Sequence, residues 1–148
     1  MTMNRRLHLG ALLALLALPL PAVAEPIQAT LYKSPQCGCC ETYAAYLRSN
    51  GFDVKVKETQ KLAEISRDAG VPPHMQGCHT TLIEGYVVDG HVPVNAIRKL
   101  LAERPAVAGI VLPGMPQGSP GMSGTKTAPF VIYAVTKDGA PPSVYARE

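Results

Sequence analysis

Ile27-Gln28-Ala29-Thr30-Leu31-Tyr32, then Ser34-Pro35-Gln36, then Cys37-Gly38-Cys39-Cys40 make up the passage on which the fold turns. The first six residues alternate apolar and polar, the period of a half-buried strand. Ser34-Pro35-Gln36 stops that strand. Cys40, Ala44 and Leu47 then recur at helical spacing, with Tyr43 and Tyr46 alongside. Asn50-Gly51 closes the helix, because glycine accepts the left-handed conformation past a helix end. Phe52, Val54 and Val56 alternate again. The passage therefore predicts strand, helix, strand, with three cysteines where the first strand hands over to the helix.

Downstream, Thr59 can cap a second helix running through Leu62, Ile65 and Ala69, which Gly70 ends. Val71 to His79 reads as a loop. Thr80 to Val88 is rich in β-formers, interrupted by Gly85, and Asp89-Gly90 is a turn signal. Pro93 suits the first turn of a third helix, where its missing N–H does no harm. Ile97, Leu100 and Leu101 would face the core, and Pro105 ends the helix. Residues 114–124 are rich in Met, Gly and Pro and predict a loop. Phe130 to Val135 and Ser143 to Ala146 predict a final hairpin around Asp138-Gly139. The expected fold class is α/β: a small sandwich of a mixed sheet with flanking helices, followed by the Met/Gly/Pro-rich loop and the C-terminal hairpin.

Upstream, Arg5-Arg6 precede an Ala/Leu run from Ala11 to Leu18, Pro19 and Pro21 break it, and Ala22-Val23-Ala24 has the form of a cleavage site. Residues 1–24 thus read as a secretory signal peptide and residues 25–148 as one domain. The run is shorter than the ~20 residues a membrane span needs. The arginine pair is also compatible with twin-arginine export. The remaining chain carries twelve basic and eleven acidic residues, scattered along it, a pattern without a nucleic-acid footprint. No later segment is apolar enough to span a membrane. The expectation is a periplasmic protein, in a disulfide-permitting compartment.

All four cysteines, Cys37, Cys39, Cys40 and Cys78, lie in that domain. Unpaired N–H groups at a helix start stabilise thiolates, the form that attacks disulfides and binds metals. Cα atoms of neighbouring residues are ~3.8 Å apart, whereas a relaxed disulfide wants ~4.4–6.8 Å. Cys39–Cys40 is therefore a poor bridge. Cys37–Cys40 is feasible, leaving Cys39 to pair with Cys78 or stay free. In the metal reading, thiolates select soft Cu(I) or borderline Zn(II). Crowded sulfurs suit several bridged Cu(I) ions. Zinc would instead take one tetrahedral site from four cysteines, or three and a histidine.

A strand leading into C-x-x-C at a helix start resembles the thioredoxin-like fold, with Cys37 and Cys40 in the two cysteine positions and Cys39 inserted. That fold places a cis-proline before the third strand. Here His79 or Thr80 would stand there, bringing Cys78 near the other thiols, or Val71-Pro72-Pro73 would supply the proline. Across residues 27–122 the chain resembles more closely the CopG-type periplasmic copper-resistance family. The matching stretches are Cys37-Gly38-Cys39-Cys40, Gly70-Val71-Pro72, Cys78-His79-Thr80, Gly85 to Pro93, and Gly114 to Met122. The resemblance implies a thioredoxin-like domain, Cu(I) on the four cysteines and a role in copper handling. For some members it implies a change in copper's oxidation state.

Additional ligand candidates are His79, His91, Met115 and Met122. His79 adjoins Cys78 and can offer imidazole, or bond to backbone as a loop residue. His91 follows the Asp89-Gly90 turn and can cap, pack or ligate. The thioethers of Met115 and Met122 suit Cu(I), although methionine is also a routine core filler. His74 and Met75 could flank a site entrance. The functional expectation is a copper-binding protein, not an enzyme unless it converts copper between oxidation states. Its partners would be copper ions and other periplasmic copper-resistance or efflux proteins. The alternative is a thiol–disulfide oxidoreductase using Cys37 and Cys40.

Overall fold

A computed structural model describes residues 24–148. The signal segment expected over residues 1–24 lies outside the described residues, apart from Ala24. The strands are β1 (Ile27–Lys33), β2 (Phe52–Glu58), β3 (His79–Ile83), β4 (Tyr86–Asp89), β5 (Gly109–Val111), β6 (Val131–Val135) and β7 (Ser143–Arg147). The helices are α1 (Gly38–Ser49), α2 (Leu62–Asp68) and α3 (Val94–Glu103), with a short 3-10 turn at Pro73–Met75. The fold is α/β, as expected.

The strands form one mixed sheet in the order β2-β1-β3-β4-β5-β6-β7. β1 runs parallel to β2, and β4 parallel to β5, while the other neighbours are antiparallel. Alternation along β1 behaves as anticipated: Ala29, Leu31 and Lys33 are buried. One face of the sheet packs with Tyr43, Ala44 and Leu47 of α1 and Ile97 and Leu100 of α3 into the main core. A smaller cluster of Val71, Met75, Val87, Ala108, Val111 and Val135 forms separately. Met75 is therefore a core residue rather than part of a site entrance, and His74 is exposed. The methionine fills space between apolar side chains, a common use of its flexible thioether.

Several local expectations needed revision. Thr80 to Val88 is a hairpin of two strands rather than one interrupted run. Glu84 and Gly85 both have positive φ, 47° and 87°, the conformation of a tight two-residue hairpin turn. β5 was not anticipated, because three residues are too few to show a period. The final hairpin extends the same sheet through β5–β6 pairing. Pro93 is the N-cap of α3 rather than its first helical residue. Lys61 occupies the N-cap of α2, and Thr59 Oγ1 instead accepts a hydrogen bond from the Lys61 N–H at 3.0 Å. All peptide bonds among the described residues are trans, and Pro72-Pro73 leads into the 3-10 turn.

Candidate metal centre

Strand register assembles the site. The last residue of β1, Lys33, pairs with the first residue of β3, His79. Cys78, one residue earlier, therefore lies beside the loop that carries the chain from β1 into α1. Lys33 holds that loop. Its ammonium donates to the carbonyls of Ser34 and Pro35 at 3.4 Å and pairs with Glu41 at 3.1 Å and Glu58 at 3.3 Å.

Cys37 is the N-cap of α1, and Cys39 and Cys40 lie in its first turn. The Cys37–Cys40 disulfide is closed, with Cα atoms 5.5 Å apart. Cys39 and Cys78 are free and half-buried. Cys39 Sγ lies 3.5 Å from Cys37 Sγ and 3.7 Å from Cys78 Sγ. The four sulfurs all lie within 4.8 Å of one another. Burial, together with the neighbouring Cys39, pushes the Cys78 thiol up to about 12. Metal-free Cys78 is thus a thiol rather than a thiolate at neutral pH.

The other side of Cys78 faces imidazole. His91 Nε2 lies 3.2 Å from Cys78 Sγ, and His91 Nδ1 lies 2.7 Å from the Pro120 carbonyl oxygen. A carbonyl only accepts, so Nδ1 carries the proton and Nε2 presents its lone pair to the sulfur. His79 Nδ1 lies 3.4 Å from the same sulfur. His79 is buried, and its Nε2 has no hydrogen-bond partner among the described residues. Burial, with a contribution from His91, lowers His79 to about 3, and burial also lowers His91. Both rings are neutral near pH 7, as metal ligation requires.

Four supporting residues were not foreseen. Asp89, read from the sequence only as part of a turn, is buried. Its Oδ1 accepts the Gly77 N–H at 2.5 Å and its Oδ2 accepts the Thr80 hydroxyl at 2.7 Å. This fixes the approach to Cys78. Burial raises the Asp89 carboxyl to about 6, despite those hydrogen bonds. Tyr43 donates to the Val92 carbonyl at 2.8 Å, and its ring lies 4.5 Å from that of His79. Tyr46 Oη accepts the Val94 N–H at 2.9 Å. Both tyrosines tie α1 to the segment bearing His91. Gly121 seats the Met/Gly/Pro loop on α1: a Cβ there would lie 2.8 Å from Tyr43 N and 3.2 Å from Cys39 O. Two of these signals, an acidic residue in a turn and a glycine in a loop, are too common in sequences to be singled out.

The expected residues thus fall into groups. Cys37, Cys39, Cys40 and Cys78 come together, and His79 and His91 join them at Cys78. Met122 is half-buried beside Gly121. Met115, at 40% exposure, is not among the buried side chains around Cys78. Buried His79 heads a strand rather than occupying a loop.

Fold and site together define an α/β protein with a cysteine–histidine cluster of metal-ligand type. Two solved structures, both named copper resistance protein CopG, match it. Form 2 is 37% identical over 84% of this chain and 99% of that chain, with a TM-score of 0.76. Form 1 is 37% identical over 84% of this chain and 98% of that one, with a TM-score of 0.75. The chain belongs to the CopG copper-resistance protein family. Residues 75–122 also match a family described as protein of unknown function, DUF411. No curated protein matches the chain.

Proposed function

We propose that this chain is an exported copper-binding protein. After removal of residues 1–24 it holds Cu(I) in the periplasm through the thiolates of Cys37, Cys39, Cys40 and Cys78. The observation that carries this reading is the convergence of four sulfurs within 4.8 Å. At separations of 3.5 and 3.7 Å, thiolates suit a multinuclear cluster in which sulfurs bridge neighbouring ions, and soft sulfur selects Cu(I). Reduction of the Cys37–Cys40 disulfide releases the two thiols that complete the set. His91, His79 and Met122 stand as supplementary ligands, with Met115 further out on the loop. The likeness to copper-resistance proteins supports a role in copper resistance or homeostasis, with other periplasmic copper-handling or efflux proteins as partners. Among the described residues, no helix is long and apolar enough to cross a membrane. A thioredoxin-like origin of the domain is supported by the disulfide-forming C-x-x-C at the start of α1.

The test is Cu(I) uptake by reduced, metal-free protein against a competing chelator. More than one copper per chain is expected, and no uptake overturns the proposal. Comparison of Cu(I)- and Cu(II)-loaded protein by absorption and electron paramagnetic resonance tests redox conversion of the metal.

The closed disulfide favours a second reading, thiol–disulfide exchange, in which Cys37 and Cys40 react with a substrate disulfide. Cys39→Ser separates the two. An oxidoreductase keeps its activity, whereas a copper cluster loses metal.

A further inference from the structure

Cys78 belongs to two ligand groups. One is the set of four sulfurs, and the other consists of Cys78, His79 and His91, whose ligand atoms also lie within 4.8 Å of one another. Closing the Cys37–Cys40 disulfide disables the first group, since two of its sulfurs can no longer act as thiolates. It leaves the second untouched.

We propose that, with this disulfide closed, Cys78, His79 and His91 form a mononuclear site for a borderline divalent ion of the Zn(II) class. The inference rests on the copper reading for the premise that Cys78, with His79 and His91 beside it, faces metal. It differs in oxidation state, ion and ligand set.

The donor chemistry chooses the ion. One thiolate and two imidazoles make a borderline set, and three protein ligands with an open fourth position for water are a familiar zinc arrangement. The spacing agrees. Bond lengths of ~2.3 Å to sulfur and ~2.05 Å to nitrogen at tetrahedral angles separate the two donors by about 3.5 Å. The observed separations from Cys78 Sγ are 3.4 Å to His79 Nδ1 and 3.2 Å to His91 Nε2. The Pro120 carbonyl sets His91 in the tautomer that leaves Nε2 bare, the orientation that a partner outside the ligand shell normally imposes on a metal-binding histidine.

His79 is fully buried and turns Nδ1 toward the Cys78 sulfur at 3.4 Å. An ion bound there would take Nδ1, with the ring proton on Nε2, the nitrogen that has no hydrogen-bond partner among the described residues.

The probe is Co(II), a spectroscopic stand-in for Zn(II), titrated into the mature Cys39→Ser chain with the Cys37–Cys40 disulfide closed. This background prevents disulfide exchange with Cys39. One Co(II) per chain is expected, with intense visible bands of four-coordinate geometry and one thiolate charge-transfer band. Added Cys78→Ser should remove the charge-transfer band. Added His91→Ala should weaken binding by roughly 10–100-fold, the range for disturbing a metal site's ligands and supports. Failure to take up Co(II), or uptake indifferent to His91→Ala, overturns the proposal. His79 is too buried to rely on substitution alone. Zinc-edge X-ray absorption on the same disulfide-closed protein should instead show one sulfur and two imidazoles, and an all-oxygen shell overturns the proposal. Cu(I) uptake by reduced wild-type protein, run in parallel, keeps the two readings apart. Copper without cobalt defeats only this inference, and cobalt without copper defeats only the copper reading.

Discussion

His91 Nδ1 lies 2.7 Å from the carbonyl oxygen of Pro120, and this contact decides which imidazole nitrogen faces Cys78. It links the Met/Gly/Pro-rich loop to the cysteine cluster through a single donor. The loop can hold that carbonyl in place because the next residue, Gly121, lies flat against the first turns of α1 at φ 83°.

Gly121→Ala should therefore weaken metal binding from outside the ligand set. A Cβ there would lie 2.8 Å from Tyr43 N, in a backbone conformation that L side chains rarely adopt. The loop must lift, and His91 loses its acceptor. Cu(I) affinity in chelator competition should fall by about 10-fold or more. The His91 nitrogen chemical shifts in metal-free protein should move toward a tautomer mixture. An unchanged His91 tautomer would contradict the argument.

Cys78 should be slow to alkylate in metal-free protein with the Cys37–Cys40 disulfide closed. Its thiol is pushed up to about 12, from an ordinary 9.0. At pH 8 the thiolate is then scarcer by roughly 10³-fold, and thiolate is the reacting species. Iodoacetamide labelling mapped by mass spectrometry should show Cys78 reacting about two to three orders of magnitude more slowly than in the urea-unfolded chain. Comparable rates would show the thiol to be free of its surroundings.

Acid should expose opposing contributions from His79 and Asp89. Between pH 6.5 and about 3 the unfolded chain protonates His79 while the fold keeps it neutral. Stability therefore falls as pH falls, by about 1.4 kcal/mol per unit for one proton. Asp89 acts the other way. Its folded value of about 6 exceeds its unfolded 3.8, so the fold binds that proton first and gains stability as pH falls through this window. Asp89→Asn removes only the gain. In urea denaturation of metal-free protein at pH 6, 5 and 4, the variant should lose stability more steeply than wild type. The expected excess is about 1.4 kcal/mol per unit, and parallel slopes would refute it.

Tyr43→Phe should destabilise the protein by about 1–2 kcal/mol, because the buried Val92 carbonyl loses its donor. Urea denaturation measures this directly. The loss should be present in metal-free protein, since the hydrogen bond is between α1 and the His91 segment and involves no ligand atom.

How much of this was legible beforehand varies by element. β1, α1 and β2 were readable because alternation and helical spacing are strong over 12 and 7 residues. β5 was not, because a three-residue strand is defined by its neighbours β4 and β6 rather than by its own pattern. The Glu84-Gly85 turn hid inside a run of β-formers, where glycine alone does not distinguish a bulge from a reversal. At the site, Cys37–Cys40 was readable as a feasible bridge from helix geometry. The burial of His79 and His91 was not, since one lies in a polar β-run and the other just past a turn.

The order of residues alone determined that three sulfurs would crowd the start of α1, and that the fold would be α/β. Covalent spacing and hydrophobic period are local, and a linear chain carries them openly. Only the tertiary structure decided what Cys78 would meet. Pairing of Lys33 with His79 is a relation between strands 46 residues apart in sequence, and the Pro120 carbonyl reaches His91 from a loop 29 residues beyond it. Such contacts come from the register and packing of the whole sheet, and no short window of the sequence contains them.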